Sequence, residues 1–501
     1  MNRNTLGDAC GLRSKRWQWG VGTPLLRRLR PTPTVAAKIK PTRLSRPLVF
    51  FLAVATAPAW GQSLVVLYHS ARDHDAIYQG ARAQYAASVA RSAQSRAGVL
   101  PAIGLTAGVS LTDQSLSTGD ASISRSVGSS NAGIQLTQPL YRPAQWAAYA
   151  QSAPQEAVAR SQLTLAEQDL IVRVSQAYFD VLASYDSLLL VRAQKRGVAE
   201  QLAFAIRNFD VGTSTITDSR EAQARFDLVV AQEIAAANDA EVKKIILDQL
   251  VGQPGSTPTP LAAPVVLPPL TPNDVQAWLA QAEAEHPAIV QATLGVELAT
   301  LEIRKAEAGH KPTIDLQLGY THNSNPPSTT SGLSLGKVRV GAASVGVVLN
   351  LPLFAGFATE NRVRETLALA AQARASLESA RRSVSVSTRA AYLGLVSGAS
   401  QVKALEAAEA SSQVALDANR MGYRVGVRIN IDVLNAQSQL FQTRRDLALA
   451  RYNVLLGGLR LRLANGTLTV AALDALSASL SPESATKDEI QNQGSVRRDA
   501  P

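Results

Sequence analysis

Two pairs of segments along the chain alternate apolar and polar residues. The first pair covers residues 99–111 and 131–140, and the second covers residues 312–322 and 340–353. The clearest apolar series is Val345, Val347, Leu349, Leu351 and Leu353. Because successive side chains of a strand point to opposite faces of a sheet, this period of two predicts four strands, each with one apolar and one polar face.

The four predicted strands have the pattern of a transmembrane β-barrel, in which about ten residues present one apolar face to lipid. Four strands cannot close around a pore, and lipid tolerates no open sheet edge, so other chains would have to complete the barrel. The connecting segments, residues 112–130 and 321–339, are rich in Ser, Thr, Asn and Gly. We expect both to form exposed loops outside the cell.

A long stretch with a helical pattern follows each strand pair. Residues 144–211 contain a single proline, Pro154, and residues 354–421 contain none. A helix of about 68 residues is roughly 100 Å long. Because a helix of that length needs packing partners along its whole length, the pattern predicts a wall of coiled-coil-like helices with one solvent-exposed face.

The chain after its first 61 residues contains two copies of one unit. Ala97-Gly98, Pro139-Leu140, Ala177-Tyr178 and Val211-Gly212 recur as Ala308-Gly309, Pro352-Leu353, Ala391-Tyr392 and Val425-Gly426, at offsets of 211 to 214. The predicted divisions are a leader (1–61), a first repeat (62–251), a Pro-rich linker (252–272), a second repeat (273–475) and a disordered tail (476–501). Collinear anchors at nearly constant spacing indicate tandem structural repeats.

Almost all of the net charge of +11 belongs to the predicted leader. Residues 1–46 hold eleven Lys or Arg and one Asp, so the remainder of the chain has 50 − 11 = 39 basic and 39 − 1 = 38 acidic residues. We therefore expect no nucleic-acid partner. The apolar run at residues 48–57 and the small residues Ala57, Ala59 and Gly61 predict a cleaved export signal.

Candidate catalytic chemistry is scarce. The single cysteine, Cys10, lies in the leader, and the five histidines are scattered. The closest pair, His69 and His74, is separated by about 140° around a helix, so the two cannot share a metal from one helical face. The sequence has no nucleophile elbow and no phosphate loop. We predict no enzyme activity, no metal and no cofactor.

Motifs near the ends of both long helical stretches resemble the TolC family of outer-membrane efflux proteins. They are Asn208-Phe209, Val211-Gly212 and Ile216-Thr217-Asp218 in the first copy, and Gly422-Tyr423, Val425-Gly426, Arg428 and Asp432-Val433-Leu434 in the second. Residues 309–316 and 450–453 also resemble the family. The resemblance covers residues 63–475, in the family's order and spacing.

The resemblance implies an α+β membrane protein with a long antiparallel α-helical coiled-coil barrel. Each chain of a homotrimer would contribute four β-strands to a twelve-stranded transmembrane β-barrel in outer-membrane lipid. The protein would extend through the periplasm as a passive exit duct for type I protein secretion, multidrug efflux or both. Its implied partners are a periplasmic adaptor (membrane fusion) protein and an inner-membrane ABC or proton-driven transporter, and which transporter drives export stays open.

The resemblance also implies roles for residues at the inner tips. Glycine is favoured where a helix ends with positive φ, so Gly212 and Gly426 are expected to terminate the long helices. The implied adaptor-contact tips are Val211, Gly212, Thr213, Val425, Gly426 and Val427. Asp432 is the implied pore constriction, where like charges would favour cations. Tyr423 and Arg428 are the implied gate latch, through contacts to Thr217 and Asp218.

The chain departs from the family pattern at Asn435, where a second aspartate is expected. This departure predicts weaker cation binding at the mouth. The alternative function is a periplasmic coiled-coil adaptor without a pore, which long helical hairpins would also suit. The two well-patterned strand pairs, one in each repeat, favour the channel.

Overall fold

The computed structural model describes residues 62–118, 121–261, 267–325, 327–330 and 333–480. The predicted leader, residues 1–61, lies outside the described residues. Within the described ranges, no helix combines the length and apolar character needed to cross a membrane.

The two halves of the chain share one order of main elements: two helices, a 3₁₀ turn, an antiparallel pair of long strands, a long helix and a second helix of the hairpin. The first comprises α1 (Leu64–His74), α2 (Ala76–Ser95), a 3₁₀ turn (Arg96–Val99), β1 (Ala102–Thr118), β2 (Ala121–Tyr141), α3 (Pro143–Ala150), α4 (Ser152–Asp210) and α5 (Ile216–Val251). The second comprises α6 (Val275–Glu285), α7 (Pro287–Glu307), a 3₁₀ turn (Ala308–His310), β3 (Thr313–Asn325), β4 (Ser328–Thr330), β5 (Leu333–Leu335), β6 (Val338–Asn350), α8 (Ala358–Arg424) and α9 (Asn430–Ala464), followed by α10 (Val470–Leu480). The predicted tandem repeat is confirmed.

One antiparallel sheet contains the four main strands in the order β1-β2-β3-β6. Its register pairs Ile103 with Leu136, Leu136 with Leu318, and Leu318 with Val345, so one apolar row crosses all four strands. The apolar side chains of this face are exposed in the single chain, among them Ile103, Leu105, Leu318, Val345 and Val347. The predicted alternation is therefore present, and its apolar face has no cover from the described part of the same chain.

The first strand pair is longer than predicted, and the expected loop at residues 112–130 is wrong for most of its length. β1 continues to Thr118, and β2 begins at Ala121. Backbone pairing continues through polar positions, for example between Ser110 and Ser129. The side-chain pattern does not reveal this extension because backbone hydrogen bonds form a ladder whatever the polarity of the residues.

The second strand pair differs less from the prediction. β3 extends to Asn325, and the short strands β4 and β5 pair within the predicted loop at residues 321–339. β6 ends at Asn350, so Leu351 and Leu353 follow the strand instead of belonging to it. Both residues are apolar and exposed, but they lie outside the hydrogen-bond ladder.

The first predicted long helix is interrupted, whereas the second is continuous. α3 and α4 are separated at Gln151, because Pro154, one turn later, has no N–H to donate to the preceding turn. α8 runs for 67 residues and begins only at Ala358. Residues 354–357 precede the helix, with a turn at Gly356 and Phe357, and Phe357 has a φ of 62°.

The predicted disordered tail begins too early. α10 continues to Leu480 and crosses the predicted boundary at residue 475. Leu473 and Leu476 are buried, so apolar contact orders this segment. The remaining residues, 481–501, lie outside the described residues.

The main hydrophobic core lies where both repeats meet around α4. α1, α4, α5, α9 and α10 contribute its large buried side chains, which include Leu67, Tyr68, Ile171, Phe179, Leu247, Leu455, Leu456 and Leu473. The linker also contacts this core, since Leu261 and Leu267 pack against it. Tyr178 donates a hydrogen bond to the carbonyl of Thr259 at 3.0 Å, which ties the linker to α4.

Candidate functional site

The two long helical hairpins end in the same turn. α4 ends at Asp210 with Val211 as its C-cap; the N–H of Gly212 donates to the carbonyl of Phe209 at 2.9 Å, and the N–H of Thr213 donates to the carbonyl of Asn208 at 2.8 Å. These two bonds form a Schellman motif, which satisfies carbonyls left open at a helix end.

The second tip repeats this geometry. Gly426 donates to the carbonyl of Tyr423 at 3.2 Å, and Val427 donates to that of Gly422 at 2.9 Å. Gly212 and Gly426 have φ values of 76° and 79°, so the prediction that both glycines end the helices is confirmed. The tips are apolar and open, because Val211, Val425 and Val427 are 72%, 68% and 76% exposed.

The helices that follow the two tips begin differently. Thr215 caps α5 in a capping box, in which its hydroxyl accepts from the N–H of Asp218 and the Asp218 carboxylate accepts from the N–H of Thr215. The Ser214 hydroxyl also donates to this carboxylate at 2.7 Å, and these bonds lower the pKa of Asp218. α9 has no side-chain cap, because Ile429 precedes it.

The expected latch residues do not meet within one chain. In the described residues, no hydrogen bond or ion pair joins Tyr423 or Arg428 to Thr217 or to the carboxylate of Asp218. The Asp218 carboxylate already accepts hydrogen bonds in the cap of its own helix, α5. Thr217 is exposed. If these four residues latch the entrance, the contacts must form in another arrangement of the tips.

Tyr423 and Arg428 have other partners. The Tyr423 hydroxyl accepts a hydrogen bond from the Asn208 amide at 3.5 Å, and its ring meets Phe204 edge-on at 5.7 Å. The side chain of Arg428 folds over Gly422, where a Cβ would approach the Arg428 Cγ to 2.7 Å. Gly422 therefore leaves room for this arginine.

Asp432, the predicted constriction residue, lies in the first turn of α9. Its carboxylate pairs with Arg428 at 3.6 Å, one helical turn back. The positive end of the helix dipole also favours an acid at this position. One turn further on, the Asn435 side-chain oxygen accepts a hydrogen bond from the Arg225 guanidinium at 2.9 Å. A guanidinium thus lies beside the position where an acid was expected.

Asn430 joins the tips and is not among the predicted site residues. It is the first residue of α9 and is completely buried. Its side-chain oxygen accepts from the Gln201 amide of α4, and its amide nitrogen donates to the carbonyl of Asp218 in α5 at 3.3 Å. The repeat alignment could have drawn attention to Asn430. At the offset of 214, this polar residue stands at the position of the apolar Ile216 in the first copy.

Above the tips, α4 and α9 remain in contact along an increasingly apolar surface. The Tyr452 hydroxyl donates to the Asp186 carboxylate at 2.5 Å, and its ring lies 5.9 Å from that of Phe179. Burial raises the pKa of Asp186, and the hydrogen bond from Tyr452 opposes this shift. The two repeats are therefore joined both at the core and at the tips.

Comparison with known proteins agrees with this architecture. The outer membrane efflux protein family matches residues 67–253 and 278–467. The outer membrane protein TolC of Vibrio cholerae is 31% identical over 421 residues, covering 83% of this chain and 94% of that protein. The alkaline protease secretion protein AprF of Pseudomonas aeruginosa is 30% identical over 435 residues, covering 86% and 89%.

A solved structure has the same fold. The outer membrane protein VceC from Vibrio cholerae matches with a TM-score of 0.68 at 18% identity, covering 80% of this chain and 96% of that chain. The likeness spans the sheet and the long helices together, since it includes most of the described residues. The predicted fold class is confirmed.

Proposed function

The chain belongs to the outer membrane efflux protein family and is an outer-membrane channel of a tripartite export system; on this premise we propose that three copies form one duct. β1 and β6 are the edge strands of the sheet in one chain. Pairing β1 of each copy with β6 of the next would satisfy both edges. Four strands from each of three chains would then close a twelve-stranded barrel, with its apolar face toward outer-membrane lipid.

The exposed apolar row across all four strands is the observation that carries this proposal. A monomeric soluble protein rarely leaves a contiguous apolar face of this kind uncovered. In this duct, the long helices would extend from the sheet into the periplasm. α4 has 59 residues and α8 has 67. At about 1.5 Å per residue they are roughly 90 and 100 Å long. The duct is passive, and we assign the chain to transport instead of catalysis.

We propose that the two tips contact the periplasmic adaptor. Val211, Val425 and Val427 give each chain an exposed apolar surface where the backbone turns sharply. Exposed apolar residues on a rigid turn are suited to a partner that buries them. An inner-membrane transporter would supply the energy, and it would decide whether the cargo is a secreted protein, a drug or both.

The entrance is proposed to narrow at Asp432. Three copies near one axis would set three carboxylates close together, and Arg428 would moderate their field. We propose that Tyr423, Arg428, Thr217 and Asp218 latch the closed entrance. The side chain of Arg428 is 60% exposed and its pairing with Asp432 is long at 3.6 Å, which leaves the guanidinium accessible to a partner.

Single-channel conductance of the purified protein in a planar bilayer tests the duct. We expect small openings from the wild type and larger openings from a Tyr423→Phe, Arg428→Ser variant. The matched control is Arg420→Ser, which changes an exposed arginine three positions before Tyr423 in α8. Equal conductance of wild type and latch variant would contradict the latch but keep the duct. Protein that stays monomeric and never inserts would contradict the duct itself.

The adaptor alternative is set aside, because the chain belongs to a family of channels. Fractionation provides an independent check of this assignment. The protein should be recovered with outer membranes, and recovery with soluble periplasmic protein would contradict it.

A further inference from the structure

The contact between α4 and α9 changes in character along its length. In the upper seam, α4 residues Phe179 and Leu182 belong to one buried apolar cluster with α9 residues Tyr452 and Leu455. In the lower seam, near the tips, α4 residues Gly197 and Gln201 face α9 residues Gln437 and Asn430. The lower seam therefore contains buried amides where the upper seam contains large apolar side chains.

Asn430 is the centre of the lower seam. It is 0% exposed, and its side chain contacts two helices of the other hairpin, α4 through Gln201 and α5 through the carbonyl of Asp218. The equivalent residue of the first repeat, Ile216, is 50% exposed. Burial at this position is thus a property of the second repeat and not of the repeated unit.

A second amide lies on the same face of α9, two turns after Asn430. Gln437 is 2% exposed, and its side chain lies so close to Gly197 that a Cβ there would overlap it. Gly197 therefore allows α4 and α9 to approach closely. Leu434, between the two amides, packs in a smaller apolar cluster with Val198 and Ala205.

The two seams differ in what separation would expose. Opening the upper seam would expose large apolar side chains to water, which is strongly unfavourable. The two hydrogen bonds of Asn430 would be exchanged for hydrogen bonds to water, and the net loss per hydrogen bond is small. Separation of the lower seam would also expose Leu434, but its apolar cluster is smaller than that of the upper seam, so the lower seam is the part of the contact that opens at the lower cost.

We propose that Asn430 is a positioning residue that pins the first turn of α9 to α4 and α5, and that this amide bridge breaks when the entrance opens. The inference rests on the proposed function, since it assigns a role in gating that duct. Asn430 links α9 to both helices of the first hairpin, whereas in the described part of the chain the expected latch residue Tyr423 contacts only α4 of that hairpin.

A reversible cross-link tests the proposed pin, which is the bridge from Asn430 to Gln201 and to the carbonyl of Asp218. The side chains of Gln201 and Asn430 are in hydrogen-bond contact, so a Gln201→Cys, Asn430→Cys variant places two thiols across the lower seam. The natural chain has one cysteine, Cys10, in the predicted leader. We expect the oxidised variant to lose its openings in a planar bilayer and to regain them on reduction. Openings that are equal before and after reduction, in protein whose two thiols have been shown by thiol labelling to be cross-linked, would overturn the pin.

A loosening variant provides a second test. Asn430→Ala should raise the open-to-closed ratio about fivefold, the effect of one lost hydrogen-bonded bridge. The matched control is Asn465→Ala, since Asn465 is also 0% exposed but lies at the opposite end of α9. Both variants should lower the melting temperature, and only Asn430→Ala should change gating. If Asn430→Ala lowers the melting temperature without changing gating, its role is structural and the proposal is wrong.

Failure of the duct and failure of the pin give different results. If the wild type and every variant fail to conduct although they insert as trimers, the duct is contradicted together with the pin. If the wild type conducts and neither variant differs from it, only the pin is contradicted.

Discussion

The guanidinium of Arg225 donates a hydrogen bond to the side-chain oxygen of Asn435 at 2.9 Å, which joins α5 to α9 one turn beyond Asp432. In the described residues, Arg225 has no ion pair with a carboxylate. The sequence predicts weaker cation binding because an acid is missing at position 435. The structure adds a positive charge at the same place.

Removing that positive charge should increase cation selectivity. We expect Arg225→Gln to raise the cation-to-anion permeability ratio by about two- to fivefold, because the field of Asp432 is then less opposed. The measurement is the reversal potential across a planar bilayer under a salt gradient. Arg220→Gln, an exposed arginine on the same helix, is the control. An unchanged ratio in Arg225→Gln would show that Arg225 does not act on the permeating ions.

The glycine at the second tip should be required for its backbone conformation. Gly426 has a φ of 79°, and a Cβ at this position would meet open space, so strain and not collision opposes a side chain. Gly426→Ala should lower the free energy of unfolding by about 1 kcal/mol. Gly394→Ala, in the interior of α8 with similar free space, should instead raise it by up to about 1 kcal/mol. Denaturant titration in detergent compares the two, and equal effects would contradict the argument.

Stability should depend on pH through His286. Its Nδ1 accepts a hydrogen bond from the N–H of Ala288 at 3.1 Å at the start of α7, and burial lowers the pKa of His286 below its ordinary value of 6.5. When the pH falls below that ordinary value, the unfolded chain takes up a proton that the folded chain resists, so the folded state loses stability.

The matching experiment is a series of melting temperatures from about pH 7.5 down to about pH 5. The wild type should lose stability over this range. His286→Asn should lose less, because asparagine also caps a helix but does not titrate. His310→Asn, at an exposed position, should follow the wild type. Parallel curves for all three proteins would exclude His286 as the source.

The ion pair between Arg142 and Asp315 should stabilise the junction of helix and sheet. Two hydrogen bonds of 2.7 Å join the Arg142 guanidinium, just before α3, to the buried carboxylate of Asp315 in β3. Arg142→Ala would leave that carboxylate without its partner, and we expect a loss of about 2 kcal/mol because the pair is only partly buried.

A double-mutant cycle isolates this interaction. Arg142→Ala with Asp315→Asn should be more stable than the sum of the two single effects predicts, because the unpaired charge is removed as well. Additive effects on the free energy of unfolding would mean that the pair contributes no coupling.

Much of the fold could be predicted from the sequence because it depends on periodic patterns. The strands near Ile103 and Val345 alternate with a period of two, and the repeat anchors recur at a nearly constant offset. The positive φ of Gly212 and Gly426 could be expected, because a residue without a Cβ adopts this conformation at no steric cost. Element ends were less predictable, since the pairing of Ser110 with Ser129 depends on backbone bonds that the side-chain pattern does not report.

The sequence by itself determined the two repeats, the four strands with one apolar face, the long helices and the glycines at the tips. Each of these depends on local conformation or on a regular spacing of apolar residues. Only the tertiary structure decided which polar side chains meet at the tips. Asp218 is used in its own helix cap, while Asn430 reaches Gln201, 229 residues away in the chain. Contacts of that kind depend on how the helices pack, and no local pattern encodes the partner of a single buried amide.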